Sequence, residues 1–246
     1  MLEKIRFLNS NSLKMIAAIT MLIDHIGVIF FPESLVLRAI GRISFPIFAF
    51  MISEGARYTK NRLKYILAVG ILGVICQIPM IILFNDFHWN VLVTLTLSLG
   101  LIYLLNWFKE SLFDKECGIL VKSLSLALFI IAAFSLYFSE THLSFNCAYG
   151  FYGCMASVFA SAPSLNKTDA PDWLKRLDCI PVRVLCMLFP LLIYSHISFK
   201  LQYCSIIAVI PLLLYSGKKG KANMKHFFYI FYPAHLVILY GISLFV

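Results

Sequence analysis

Apolar runs long enough to cross a bilayer follow one another along this chain, separated by short polar stretches. The pattern predicts nine helices, at about 13–31, 35–56, 63–84, 91–108, 119–138, 147–162, 180–197, 199–216 and 226–246. Ser10, Asn11 or Ser12 is placed to cap the first, and Asn90 the fourth. Pro46 predicts a kink in the second helix and Pro79 a break in the third. The sixth is short and rich in small residues (Ala148, Gly150, Gly153, Ala156, Ser157), which favours close helix packing. A polar loop over 163–178 follows it, and its DWLKRL portion reads as a short interfacial helix. With 61% hydrophobic and 13% charged residues, and no polar stretch long enough for a soluble domain, the expected fold is all-α. Residues 1–246 form one polytopic membrane helix bundle in this reading, a single integral membrane domain.

Charge sets the expected orientation. The N-terminal tail (with Lys4, Arg6 and Lys14) and the loops after the second, fourth, sixth and eighth helices, with their helix ends, hold 18 of the 21 Lys and Arg residues. Such alternation marks the cytoplasmic side, so the N-terminus is expected inside and the C-terminus outside. The net charge of +9 is thus a topology signal and does not point to nucleic acid. The basic N-terminus is followed by no small-residue cleavage site, so the first apolar run reads as a retained anchor. The seven cysteines form no CxxC pair and no metal-type Cys/His spacing; most read as small core residues, and no disulfide or metal site is expected.

The candidate chemistry lies in the first helix. LKMIAAITMLIDHIGVIFF carries Asp24 and His25, although an ionised side chain inside a membrane helix costs roughly 2.5–3.5 kcal/mol. Lys14 opens the same helix, and eleven residue steps put it on the same face as His25, roughly 16 Å away along the axis. A cation at one surface and an imidazole deep in the same groove suit a long ligand with an anionic head and a reactive tail. The expected topology brings His25, Arg42 and His235 to similar depth, between the midplane and the outer half. Intramembrane ions pair or line a wet cavity, so Asp24 is expected to hold Arg42 or to orient the His235 ring. Such a cluster serves either to fix helix packing or to move a proton, for which imidazole is well suited near neutral pH.

KMIAAITMLIDH, GRISFPIFAF, HWN before the fourth helix, AYG opening the sixth and FYPAHL near the C-terminus resemble the TraX family in order and spacing, over about residues 13–241. The resemblance implies a polytopic inner-membrane protein associated with N-terminal acetylation of pilin. The Lys14–His25 spacing also resembles, more distantly, the signature of membrane-bound acyltransferase type 3 proteins, in which such a histidine is catalytic. On that basis the chain is expected to be an acetyltransferase that moves an acetyl group from cytoplasmic acetyl-CoA to an amine or hydroxyl, with a pilin-like protein or a glycan among the candidate acceptors. His25 and His235 are the expected acid–base or relay groups, Arg42 the oxyanion or acceptor group, and Asp24 its anchor. Lys14, Lys64 and Arg176 are expected to hold the phosphates of acetyl-CoA. Helix 147–162 offers no acid, so it contributes packing or a tyrosine hydroxyl. A transporter and a non-catalytic assembly factor for a surface polymer are the competing classes.

Overall fold

The computed structural model describes residues 6–84, 86–143, 145–164 and 171–245, with only the backbone of Leu83, Phe84 and Lys225. Lys4 of the basic tail and residues 165–170 of the polar loop lie outside the described residues. The described elements are all helical. They are α1 (Ser10–Phe30), α2 (Leu35–Gly41), α3 (Ser44–Tyr58), α4 (Arg62–Phe84), α5 (Val91–Phe113) and α6 (Ile119–His142). Then come α7 (Gly150–Ser161), α8 (Asp172–Leu177), α9 (Ile180–Ile197), a 3-10 helix (Lys200–Ala208), α10 (Val209–Leu213) and α11 (Lys225–Ser243).

Seven helices among the described residues are long and apolar enough to cross a membrane, with α2 and α3 counted together as one. The chain is therefore a multi-pass membrane protein. The sixth and eighth expected helices are shorter than their apolar runs. α7 has 12 residues, and the eighth run divides into nine 3-10 residues and five of α10. Length and composition alone thus give seven spans rather than nine.

Three local expectations change. Asn9, not Ser10, Asn11 or Ser12, caps α1: its side chain accepts from the amides of Asn11 and Ser12 at 2.9 and 3.0 Å, because the helix begins at Ser10. The second helix breaks at Arg42 and Ile43 rather than at Pro46. Pro46 lacks the N–H that would bond the Arg42 carbonyl and its ring crowds that carbonyl, so the interruption falls one turn upstream and Pro46 sits in the first turn of α3. Pro79, by contrast, lies inside an unbroken α4 of 23 residues, which forgoes one backbone hydrogen bond and keeps its neighbours. Asn90 caps α5 as expected, accepting from Leu92 N at 3.0 Å, and DWLKRL forms α8 with Trp173 exposed and Leu174 buried.

α7 is the centre of the bundle. Its small residues let α9, α5 and α3 pack closely around it, while one flank of α6 turns Ile130, Ile131 and Phe134 outwards. A Cβ on Gly153 would meet Tyr149 and Phe45. At one end of α7 the Thr94 hydroxyl of α5 donates to the Ala148 carbonyl. At the other, the Lys109 ammonium donates to the carbonyls of Ser161 and Ser164 at 3.0 and 2.6 Å, a cation on the negative end of the helix dipole. Arg57 pairs with Asp178 at 2.7 Å at that same end, which carries most of the basic residues.

Candidate active site

The break between α2 and α3 builds the first part of the site. Arg42 ends α2 with its backbone N–H on the Arg38 and Ala39 carbonyls. Its side chain turns to α1, donating to the Asp24 carboxylate at 3.1 Å. Arg38, one turn earlier, takes the other carboxylate oxygen at 3.1 Å. α1 and α2 approach closely enough for this only because residue 41 is glycine: a Cβ there would run into the Asp24 side chain. Arg42 also lies over the Phe199 ring, 5.6 Å from its centroid. The expected Asp24–Arg42 pair is present, Arg38 shares it, and Asp24 does not orient His235.

His235 is turned instead to His25. Its Nε2 lies 2.8 Å from His25 Nδ1, and its Nδ1 lies 2.8 Å from the Phe231 carbonyl. A carbonyl only accepts, so His235 donates from Nδ1. A neutral His235 then keeps Nε2 as acceptor, and His25 donates to it from its own Nδ1. The remaining nitrogen, His25 Nε2, has no hydrogen-bond partner among the described residues and is left as a base. The two rings are tilted by only 20°, with centroids 5.0 Å apart. Phe231 stacks on the His235 ring, with centroids 5.0 Å apart.

Asp24, His25, Arg38 and Arg42 line a cavity of about 330 Å³, together with Trp89 and Asn90. Tyr149 closes another wall. It stands just before α7 in the left-handed region (φ 64°), with its ring stacked 3.7 Å from Phe45. A non-glycine residue held there is strained, as is common at functional sites. Helix 147–162 thus brings a tyrosine to the cavity.

A second cavity, of about 490 Å³, opens at the basic end. Lys14 and Lys64 both line it, joined by Lys219, Asn11 and Asn61, with Tyr65 and Phe228 among its apolar walls. Arg176 lies exposed on α8 and lines neither cavity, since α8 packs through Leu174 and turns Arg176 away. The Lys14–His25 face is therefore shared between two chambers instead of forming one open groove. Phe48 and Tyr232 are the residues that line both.

The sequence reading missed one buried ion pair. Arg183 of α9 donates to Glu54 of α3, to the Ser53 hydroxyl at 3.1 Å and to the Ala160 carbonyl at 2.9 Å. Tyr215 completes the set on Glu54 at 3.1 Å. Glu54 as an acid within an apolar helix was the available signal. Arg183, near the start of an apolar run, reads from the sequence as a helix-end cation.

The TraX protein family model matches residues 9–243. An uncharacterised protein of Rickettsia prowazekii (strain Madrid E) is 40% identical over 101 residues, 41% of this chain and 38% of that protein, so that match spans well under half of either. A probable fimbrial assembly protein FimC, serogroup H1, of Dichelobacter nodosus is 26% identical over 252 residues, covering 95% of each chain. No solved structure matches the chain.

Proposed function

The chain belongs to the TraX family, and from that premise we propose that it is a membrane-embedded acetyltransferase of a bacterial inner membrane, drawing on cytoplasmic acetyl-CoA. The observation that carries the reading is the His25–His235 contact, which leaves His25 Nε2 as a base on a cavity that also holds Arg42. Lys14, Lys64 and Lys219 suit the phosphates of the donor, and the apolar walls beside them suit its less polar portion. The fit extends to the length of the donor, since Lys14 and His25 are roughly 16 Å apart along α1.

In this mechanism His25 Nε2 takes the proton of the incoming amine or hydroxyl as that group attacks the thioester carbon. The positive charge spreads into His235, because the Nδ1 proton of His25 already lies on the His235 Nε2 lone pair. Arg42 stabilises the oxygen that becomes negative. Asp24 holds Arg42 in place and is shared with Arg38, so this cluster of three carries one net positive charge, and Asp86 is a second carboxylate on the same cavity. The C–S bond then breaks, the thiolate leaves, and it receives the proton that His25 had taken. The FimC relative's name points to fimbrial assembly, which supports a pilin-type N-terminus as the acceptor.

We include nine membrane passes with the N-terminus inside. α7 reaches Thr94 at one end of α5 and Lys109 at the other, which supports a crossing despite its length. The 3-10 helix rises by about 2.0 Å per residue, so with α10 it extends about 26 Å.

Purified protein in detergent is expected to release CoA from acetyl-CoA when an amine acceptor is present. His25→Ala and His235→Ala should each lower that rate by about 100-fold or more with helix content unchanged. Absence of release by the wild-type protein, across peptide and small-amine acceptors, would remove the proposal. Full fimbrial assembly in cells carrying His25→Ala would favour a non-catalytic assembly role.

A further inference from the structure

Two chambers that open towards opposite ends of a membrane protein need a barrier between them. Here the barrier is narrow. Phe48 of α3 and Tyr232 of α11 line both cavities and meet edge to face, with centroids 6.1 Å apart and planes at 62°. Tyr232 is only 8% exposed, and its hydroxyl is buried without a hydrogen-bond partner among the described residues. A buried hydroxyl normally finds a partner, and one that lacks it calls for an explanation. On the basic side of this contact are three lysines, and on the other side are His25 and Arg42.

We propose that Phe48 and Tyr232 form a closed throat between the chambers, and that the Tyr232 hydroxyl is a positioning donor for the ligand that passes through it. The ligand class follows from the two ends: an anionic head for the lysines, an acyl group for His25, and between them a flexible arm bearing carbonyl oxygens. Tyr232 donates to one of those carbonyls, which satisfies its hydroxyl and sets how far the acyl group reaches towards His25. An anionic lipid donor with a plain hydrocarbon arm offers no such acceptor. The inference rests on the acetyl-CoA reading for the identity of the arm. The closed throat rests on the geometry alone.

Two measurements separate these parts. Cys76 lines the His25 chamber and is 1% exposed. In a chain with Cys76 as its sole cysteine, reconstituted in vesicles, a membrane-impermeant thiol reagent is added from the basic side only. Wild type should react slowly, and Phe48→Ala at least 10-fold faster; equal rates in a monodisperse variant would overturn the throat. Separately, Tyr232→Phe keeps the ring and removes only the hydroxyl. It should bind adenosine 3′,5′-bisphosphate, which carries the head alone, as tightly as wild type, while kcat for CoA release falls 10-fold or more. Unchanged kcat and KM would overturn the donor role. No CoA release by the wild-type protein would remove the acyl reading and the donor role with it, and the Cys76 comparison would still decide the throat.

Discussion

Arg183 and Glu54 are 2% and 5% exposed, and each has further hydrogen bonds besides their own contact. Removing one member leaves a buried charge without its counterpart. Glu54→Ala is therefore expected to destabilise the protein by about 3–5 kcal/mol, seen as a large fall in the thermal midpoint in detergent. Arg62 pairs with Glu110 at 2.8 Å but is 45% exposed, and Arg62→Ala should change stability by less than about 1 kcal/mol. Equal effects in the two variants would show that burial is not what distinguishes the pairs. The same physics explains what was legible in the chain. Asp24, Arg42, His25 and His235 are costly inside apolar runs, so they had to meet, and their depths could be counted from the helix ends. Arg183 was not legible because it lies one turn into α9, where a cation reads as a helix-end charge. Arg176 failed for another reason: residue order does not give the direction in which a short surface helix turns its charges.

At the scale of elements, the break at residues 42 and 43 is what turns Arg42 towards Asp24. Pro46→Ala restores a backbone donor for the Arg42 carbonyl and removes the ring that crowds it. The variant is expected to gain helix across the break and to rotate Arg42 away from Asp24. CoA release should then fall at least 10-fold while the thermal midpoint is kept or raised. A variant with wild-type turnover would mean that the break has no part in aiming Arg42. Proline position alone suggested a kink at residue 46, since the sequence does not say whether a proline bends a helix or starts a new one. Pro79 shows the opposite outcome, an unbroken helix. The 3-10 segment was equally hidden, because its residues carry the same apolar signal as an α-helix.

At the scale of the whole molecule, the bridge between residues 8 and 215 brings the start of α1 and the end of α10 to one end of the bundle. The proposed nine passes, with the N-terminus inside, would place Asn11 and Lys218 on the cytoplasmic side and His88 and His142 outside. Single cysteines at those positions should react with impermeant reagents from the corresponding sides only. Opposite-side labelling at residue 142 relative to residue 88 would break the expected alternation. The bundle form and most spans were legible because lipid demands long apolar helices. The close packing around α7 was legible from its small residues, and its central place and true length were not.

The His25–His235 contact joins residues 210 positions apart, and this has a consequence for biogenesis. At synthesis rates of about 5–20 residues per second, α11 emerges roughly 10–40 s after α1. Throughout that interval the nascent chain carries a half-built polar cluster, with Asp24 soon matched by Arg38 and Arg42 but His25 still waiting. Chains cut short before Lys225 should therefore insert, remain loosely packed around α1, and be cleared by membrane proteolysis faster than the full chain in a pulse-chase experiment. The paired-histidine site would then be the last feature the protein acquires, and under the proposed function a truncated copy could not begin chemistry before its synthesis is complete.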